Sequence, residues 1–196
     1  MGKIYCICGK SSSGKDTVYK RLLADESLKL NQLVTYTTRP IREGEVNGRE
    51  YFFIDAARFE QMVQNDELLE HAVYVGNYYG TPRKFVEDKL SAGESVFLDI
   101  EVQGARQVKE KMPDAIMIFL IPPSLGELKK RLESRGTETE ETIKGRLARA
   151  REEYAEADFY DYIVVNDDID SAANELLSIL TAEKCRFAAR RQMLQE

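Results

Sequence analysis

The 196-residue chain has one histidine, three cysteines and no apolar run long enough to cross a bilayer. With His71 the only histidine, histidine-based metal or triad chemistry is not expected. Cys6, Cys8 and Cys185 form an odd set. Cys6 and Cys8 fall on one face of a strand with no second ligand pair, so they read as buried free thiols, which suits a reducing cytoplasm. The formal net charge of −6 argues against a nucleic-acid protein that works by bulk charge. Neither nucleic acid nor membrane is an expected partner. The N-terminus reads as a strand rather than a signal peptide. There is no internal repeat, low-complexity tract or linker. With 43% hydrophobic residues the chain can bury the core of one typical domain, or one core with small insertions.

Gly9-Lys10-Ser11-Ser12-Ser13-Gly14-Lys15-Asp16 fits the phosphate-binding loop G-x-x-x-x-G-K-[ST] at every position but the last, where Asp16 precedes Thr17. Its flanks are those the motif requires. Ile4–Cys8 reads as a buried parallel strand, and Val18, Leu22 and Leu23 follow helical spacing. The glycines allow backbone conformations that a side chain would obstruct. The loop amides and the helix N-terminus then point at anionic oxygens, and Lys15 reaches the terminal phosphates. Ser12 sits where related loops often carry Gly, and Lys10 adds an unusual cation.

Beyond the loop, strands are expected at Ile4–Cys8, Leu33–Thr37, Val96–Ile100, Ile116–Ile121 and Tyr162–Val165. Helical patterns cover Thr17–Ala24, Pro82–Ala92, Val102–Lys111, Leu125–Ser134, Thr139–Ala157 and Asp170 to about Gln192. This alternation predicts an α/β fold, a parallel sheet covered by helices. Two stretches break the rhythm. Residues 39–81 are rich in Gly, Tyr and charge, with strand-like runs at Tyr51–Ile54 and Leu68–Val75, and suggest a small inserted subdomain. Residues 136–141 form a polar segment between two arginine-bearing helices and suggest a mobile cover.

Phosphoryl transfer needs positioning and positive charge more than covalent chemistry. Arg131 and Arg135 lie four apart on one helix face. Arg146 lies beside the apolar stripe Ile143, Leu147, Ala150 and Tyr154, with Arg149 also on that helix. Arginines on a cover can close over the transferring group and exclude water. Val96–Ile100 ends near Asp99, an acid at the carboxyl end of a strand that can hold magnesium or its waters. Asp16 is a second candidate for the same ion. Arg39 and Arg42 follow the hydroxyl residues of Thr35–Thr38 and form a candidate monophosphate clamp, with Tyr51 and Tyr79 as further donors.

These blocks resemble guanylate kinases. The similarity runs from Gly9 through Asn166-Asp-Asp. It includes Thr37-Thr-Arg39-Pro, Gly44-Glu-Val-Asn-Gly48 with Tyr51, Gly76-Asn-Tyr-Tyr-Gly80-Thr81, Asp99-Ile-Glu-Val-Gln-Gly104 and Arg131-Leu-Glu-Ser-Arg135. The resemblance implies a P-loop core with a five-stranded parallel sheet flanked by helices (1–34, 82–125 and 150–196), a β-rich GMP-binding subdomain (35–81) and a helical lid (126–149). It further implies that Arg39, Arg42, Tyr51 and Tyr79 hold the GMP phosphate. Thr35, Glu70, Thr81 and Glu101 would surround the guanine. ATP would lie on residues 9–17, with Asn166 near the adenine. Lys15, Arg131, Arg135 and Arg146 would serve the transferring phosphoryl.

Glu70 has a chemical logic of its own. Guanine presents N1–H and an N2 amino group side by side, and a carboxylate accepts from both. Adenine offers an unprotonated N1 and no N2 amino group, so the carboxylate would face an acceptor. Two departures from the family pattern stand nearby: Thr35 for a common Ser, and Glu101 for the usual Asp. The expected activity is transfer of the γ-phosphoryl of ATP to GMP or dGMP with Mg²⁺, by a monomer or homodimer. Two other readings share part of the pattern. Ribose 1,5-bisphosphate phosphokinases carry a similar Gly-Lys-Asp loop but need no guanine-reading Glu70. Guanylate-kinase-like protein-binding modules have lost loop chemistry, whereas Lys15, Arg39 and the lid arginines are intact here.

Overall fold

The computed structural model describes residues 2–9, 13–24, 28, 30–134, 136 and 138–194, with the side chains of Asp16, 30–32 and Gln192 outside that description. In chain order the first elements are β1 (Ile4–Cys8), α1 (Lys15–Leu23), β2 (Leu30–Gln32), β3 (Thr35–Thr37), β4 (Tyr51–Phe53), α2 (Ala56–Gln64), β5 (Leu68–Tyr74) and β6 (Asn77–Pro82). Then come α3 (Arg83–Ser91), β7 (Ser95–Asp99), α4 (Val102–Lys111), β8 (Ile116–Ile121) and α5 (Leu125–Ser134). The chain continues through α6 (Glu140–Ala155), β9 (Tyr162–Val165), α7 (Ile169–Lys184) and α8 (Phe187–Arg190). It divides into two compact units, Met1–Cys8 with Lys29–Met117, and Gly9–Leu28 with Ile118–Glu196.

The first unit holds three parallel strands in the order β2-β7-β1. Their apolar runs leave little to face water: every residue of β1 is buried, as are Val96, Phe97 and Leu98 of β7. The same unit holds a mixed sheet in the order β4-β3-β6-β5, in which β3 and β4 run parallel and β6 runs antiparallel to both its neighbours. Val75 and Gly76, both at positive φ, join β5 to β6, as a tight two-residue hairpin connection requires.

Of the expected strand Leu33–Thr37 only Thr35–Thr37 is a strand, and a separate, unexpected strand precedes it. Leu30–Gln32 pairs with β7, and Thr35–Thr37 pairs with β4 and β6 in the other sheet. Leu30-Asn-Gln32 is too short and polar to read as a strand, and the apolar and hydroxyl run after it carries no local mark of where pairing begins. Helix α2 and strand β6 lie within the stretch that was read only as an inserted subdomain. Asp55 caps α2 by accepting from the Arg58 amide at 2.7 Å, and Phe59 and Met62, one turn apart, bury against Leu68. The last expected helix is also shorter than its pattern: α7 ends at Lys184 and the chain restarts as the short α8.

The second unit holds the parallel pair β8-β9 with α1, α5, α6, α7 and α8. The stripe on α6 behaves as its spacing predicts. Ile143 and Ala150 bury against Leu128 and Leu132 of α5, with Leu147 packed beside them, and Tyr154 packs edge-on to Phe119. Thr139 and Asp168 cap α6 and α7 through the amides of Thr142 and Ser171. No helix among the described residues is long and apolar enough to cross a membrane.

Candidate active site

In the first unit the mixed sheet sorts its side chains by the two-residue period of a strand. The register pairs Thr35 with Tyr51, Thr37 with Phe53 and Tyr79, and Glu70 with Thr81. Thr35, Thr37, Tyr51, Glu70, Tyr79 and Thr81 therefore share one face. The opposite face carries Tyr36, Phe52 and Tyr78, with Phe59 of α2 stacked on Tyr78 at 5.2 Å. Residues up to 46 positions apart in the chain are thus collected on one polar face by strand pairing.

Glu70 is 4% exposed and Thr81 fully buried. The Thr81 hydroxyl donates to Glu70 Oε1 at 2.5 Å. Burial pushes the carboxyl up to about 7, against the opposing pull of the Thr81 hydroxyl and amide and the Lys111 charge. Composition alone would favour an exposed acid in the run Asn65–Glu70; packing instead puts Glu70 in the interior. Gly104 of α4 leaves the space for it, because a Cβ built there would overlap Glu70 Oε2. Gly104 stands in a block quoted for its resemblance, but nothing in the local pattern tied it to Glu70.

Arg39 is 9% exposed, and its guanidinium is held end-on by Glu45, with Nη1 to Oε2 at 3.0 Å and Nη2 to Oε1 at 2.7 Å. The same carboxylate accepts from the Arg42 amide at 2.8 Å, which closes the loop carrying both arginines. The fork holds Glu45 below the usual carboxylate range and raises Arg39 further. The guanidinium also lies 5.4 Å from the Tyr51 ring centre and 5.5 Å from that of Phe53, within cation–π range. Tyr51 meets Tyr79 edge-on at 5.8 Å. The structure therefore gathers Arg39, Tyr51 and Tyr79, and it adds Glu45, which the sequence reading had not singled out. Its signal was an acid six residues after Arg39 within a glycine-bounded loop. The Arg42 side chain is exposed. Thr35 is half-buried, Glu101 is the half-buried N-cap residue of α4, and Asp99 is exposed at the end of β7, where it pairs in register with Ile7.

In the second unit Gly14 sits at φ 83° as the N-cap of α1, a conformation that favours glycine, and a Cβ there would overlap the Asn166 amide. Asn166 is buried and joins three segments. Its Nδ2 donates to the Ser13 carbonyl at 2.6 Å, its own amide donates to Ile121 O at 2.8 Å, and its carbonyl accepts from Arg131 Nη2 at 3.0 Å. The residue expected near adenine thus also braces the glycine loop from behind. Arg131 further pairs with Glu127 at 3.4 Å, and Arg146 pairs with Glu138 at 2.8 Å. Lys15 opens α1 and Thr17 is exposed on its first turn. Lys10, Ser11, Ser12 and Arg135 lie outside the described residues, as does the side chain of Asp16.

The strand, glycine turn and helix at the start of the chain, with a second sheet that buries an acid on its polar face, define an α/β protein of the phosphate-binding-loop class. A family model described as guanylate kinase matches residues 1–183. A curated guanylate kinase of Bacillus cereus is 49% identical over 185 residues, covering 94% of this chain and 90% of the relative. The crystal structure of guanylate kinase from Anaplasma phagocytophilum aligns with a TM-score of 0.76 at 35% identity, over 94% of this chain and 87% of its own. A Thermus thermophilus protein at 18% identity and a TM-score of 0.53, over 93% of this chain and 97% of its own, shares the fold alone. The chain belongs to the guanylate kinase family.

Proposed function

We propose that this chain transfers the γ-phosphoryl of ATP to GMP or dGMP, giving ADP and GDP, and that the residues above divide the work as follows. Glu70 reads the guanine N1–H and N2 amino group, with Thr81, Thr35 and Glu101 around the base. Arg39, Arg42, Tyr51 and Tyr79 hold the GMP phosphate. The loop of residues 9–17 holds the ATP phosphates through its amides and Lys15, and Asn166 supports it. Lys15, Arg131, Arg135 and Arg146 balance charge that builds on the transferring group; one such arginine can contribute on the order of 10³–10⁵ in rate. No strong general base is required, because the acceptor phosphate is already anionic at pH 7. The finer architecture belongs to the same proposal: a five-stranded parallel core (1–34, 82–125 and 150–196), a GMP-binding subdomain (35–81) and a lid (126–149).

The observation that carries the reading is the buried Glu70 carboxyl, fixed by Thr81 and given room by Gly104. A ribose-phosphate kinase has no use for such a group. A protein-binding module has no use for a forked, buried Arg39.

Magnesium would shield the phosphates and align them. Among the described residues no cluster of three or more acidic, histidine or cysteine side chains could cage a metal. Magnesium is commonly held by one or two carboxylates and the substrate's own phosphates. Asp99, exposed at the strand end, and Asp16 are the acids that would share it.

The test is ATP-dependent ADP release with GMP, dGMP, AMP, UMP and ribose 1,5-bisphosphate offered in turn. Turnover with GMP and dGMP, and little with the others, is expected. No GMP-dependent turnover with Mg²⁺ present would remove the assignment.

A further inference from the structure

Strand β5, which carries Glu70, is the edge strand of its sheet, so one row of its backbone groups has no strand partner among the described residues. Helix α4 supplies that partner with side chains. Gln107 offers a carboxamide to the peptide groups of His71. Its Oε1 accepts from the His71 N–H at 3.1 Å and its Nε2 donates to the His71 carbonyl at 2.7 Å. This is the two-bond pattern that a neighbouring strand would make. Lys111 Nζ donates to the Leu68 carbonyl at 3.2 Å. Glu70 lies between these two anchored residues, and its Oε2 lies over Gly104. Positions 104, 107 and 111 recur at the three- and four-residue spacing of one helix face. The start of α4 is Glu101, its N-cap residue. One helix therefore carries one proposed guanine contact and grips the strand that carries another.

We infer that Gln107 is a positioning residue for base selectivity: its two hydrogen bonds to the His71 peptide groups set the register of α4 against β5, and so fix where Glu70 and Glu101 stand relative to one another. The inference rests on the proposed guanine-reading role of Glu70. Gln107 touches no substrate; it acts through Glu70. A side chain with one fewer bond to His71 lets the strand edge slide along the helix. Displacements of about 1 Å remote from the reacting atoms can cost on the order of 10²-fold in rate. The loss should fall on the base contact that needs both carboxylate oxygens aligned.

The readout is the ratio of kcat/KM for GMP to that for IMP, which lacks the N2 amino group. Gln107→Leu keeps the volume and removes both bonds to His71. It should lower the ratio by roughly tenfold, raise KM for GMP and leave KM for ATP within about twofold. Gln107→Glu keeps the acceptor for the His71 N–H and should fall between the two. It also provides the ratio if the leucine variant does not fold. A purely structural role would depress both nucleotides alike and lower the melting temperature without moving the ratio, and that result would overturn the inference. Glu70→Gln serves as the reference. If it lowers the ratio and the Gln107 variants do not, the positioning role alone falls. If it leaves the ratio intact, the base-reading role falls and takes this inference with it.

Discussion

Thr81 and Glu70 face each other across β6 and β5, and the threonine hydroxyl donates to the carboxyl at 2.5 Å with both side chains withdrawn from water. The pair is a compromise between two demands. In its proposed role Glu70 must be an ionised carboxylate when GMP arrives, yet burial disfavours that charge in the empty site. The bonds from the Thr81 hydroxyl and amide and the Lys111 charge recover only part of the loss, which leaves the group at about 7.

The sign of the pH dependence follows. An unfolded glutamate titrates near 4.5 and this one near 7. Between those values the folded chain keeps a proton that the unfolded chain has lost. The resulting stability is complete below the unfolded value and disappears as pH rises through 7, a loss of roughly 3 kcal/mol. Glu70→Gln should therefore raise the melting temperature at pH 8 and leave it nearly unchanged at pH 4. Equal melting curves for the two proteins at pH 8 would contradict a carboxyl that burial raises to about 7. KM for GMP should also climb as pH falls below 7 in the parent protein, and be flat in the variant.

Gly104→Ala separates helix stability from site shape. Alanine favours a helix interior over glycine by about 0.5–1 kcal/mol. Here its methyl would meet the Glu70 carboxylate, and overpacking of this kind costs about 1–3 kcal/mol. The expected outcome is a folded protein with KM for GMP raised roughly tenfold and ATP affinity untouched. Steady-state kinetics with each nucleotide varied in turn would show it, and an unchanged GMP term would mean that Glu70 can move aside freely.

Arg39→Lys tests the fork. A lysine keeps the charge but offers a point donor in place of two parallel N–H groups, so it cannot span both oxygens of Glu45. GMP affinity should fall by about tenfold or more, although net charge is the same. Glu45→Gln keeps the shape and weakens the pair from the other side; it should shift GMP affinity in the same direction. Titration of GMP by calorimetry gives both numbers. A lysine variant that binds GMP as the parent does would show that charge alone suffices.

Asn166→Ala addresses the other nucleotide. It leaves the buried Ser13 carbonyl without the amide that now reaches it at 2.6 Å, a loss of about 1–3 kcal/mol where the group stays dry. The glycine loop loses its brace, so KM for ATP should rise while KM for GMP does not. Comparable losses for both substrates would indicate a general collapse.

The sequence alone determined a great deal here. Strand, glycine loop and helix were legible because their cues lie within one short window. Helices α4 and α5 matched their predicted bounds because their apolar spacing is regular over two to three turns. The motif blocks were sufficient for the family resemblance. What the tertiary structure decided has one physical character: it depends on groups far away in the chain. Leu30–Gln32 carries no strand pattern yet pairs with β7, while Leu33 and Val34 read as strand and lie outside one, because local pattern does not record which sheet will accept a residue. Composition alone would favour an exposed Glu70; it is buried because β6 brings Thr81 against it and Gly104 lets α4 pack close to it. Asn166 reaches Ser13 across 153 positions. Gln107 meets His71 across 36. Periodicity reports orientation along one element, whereas desolvation and pairing arise only when separate elements meet. That is why the candidate residues could be named from the sequence, while the packing that fixes their charge and position could not.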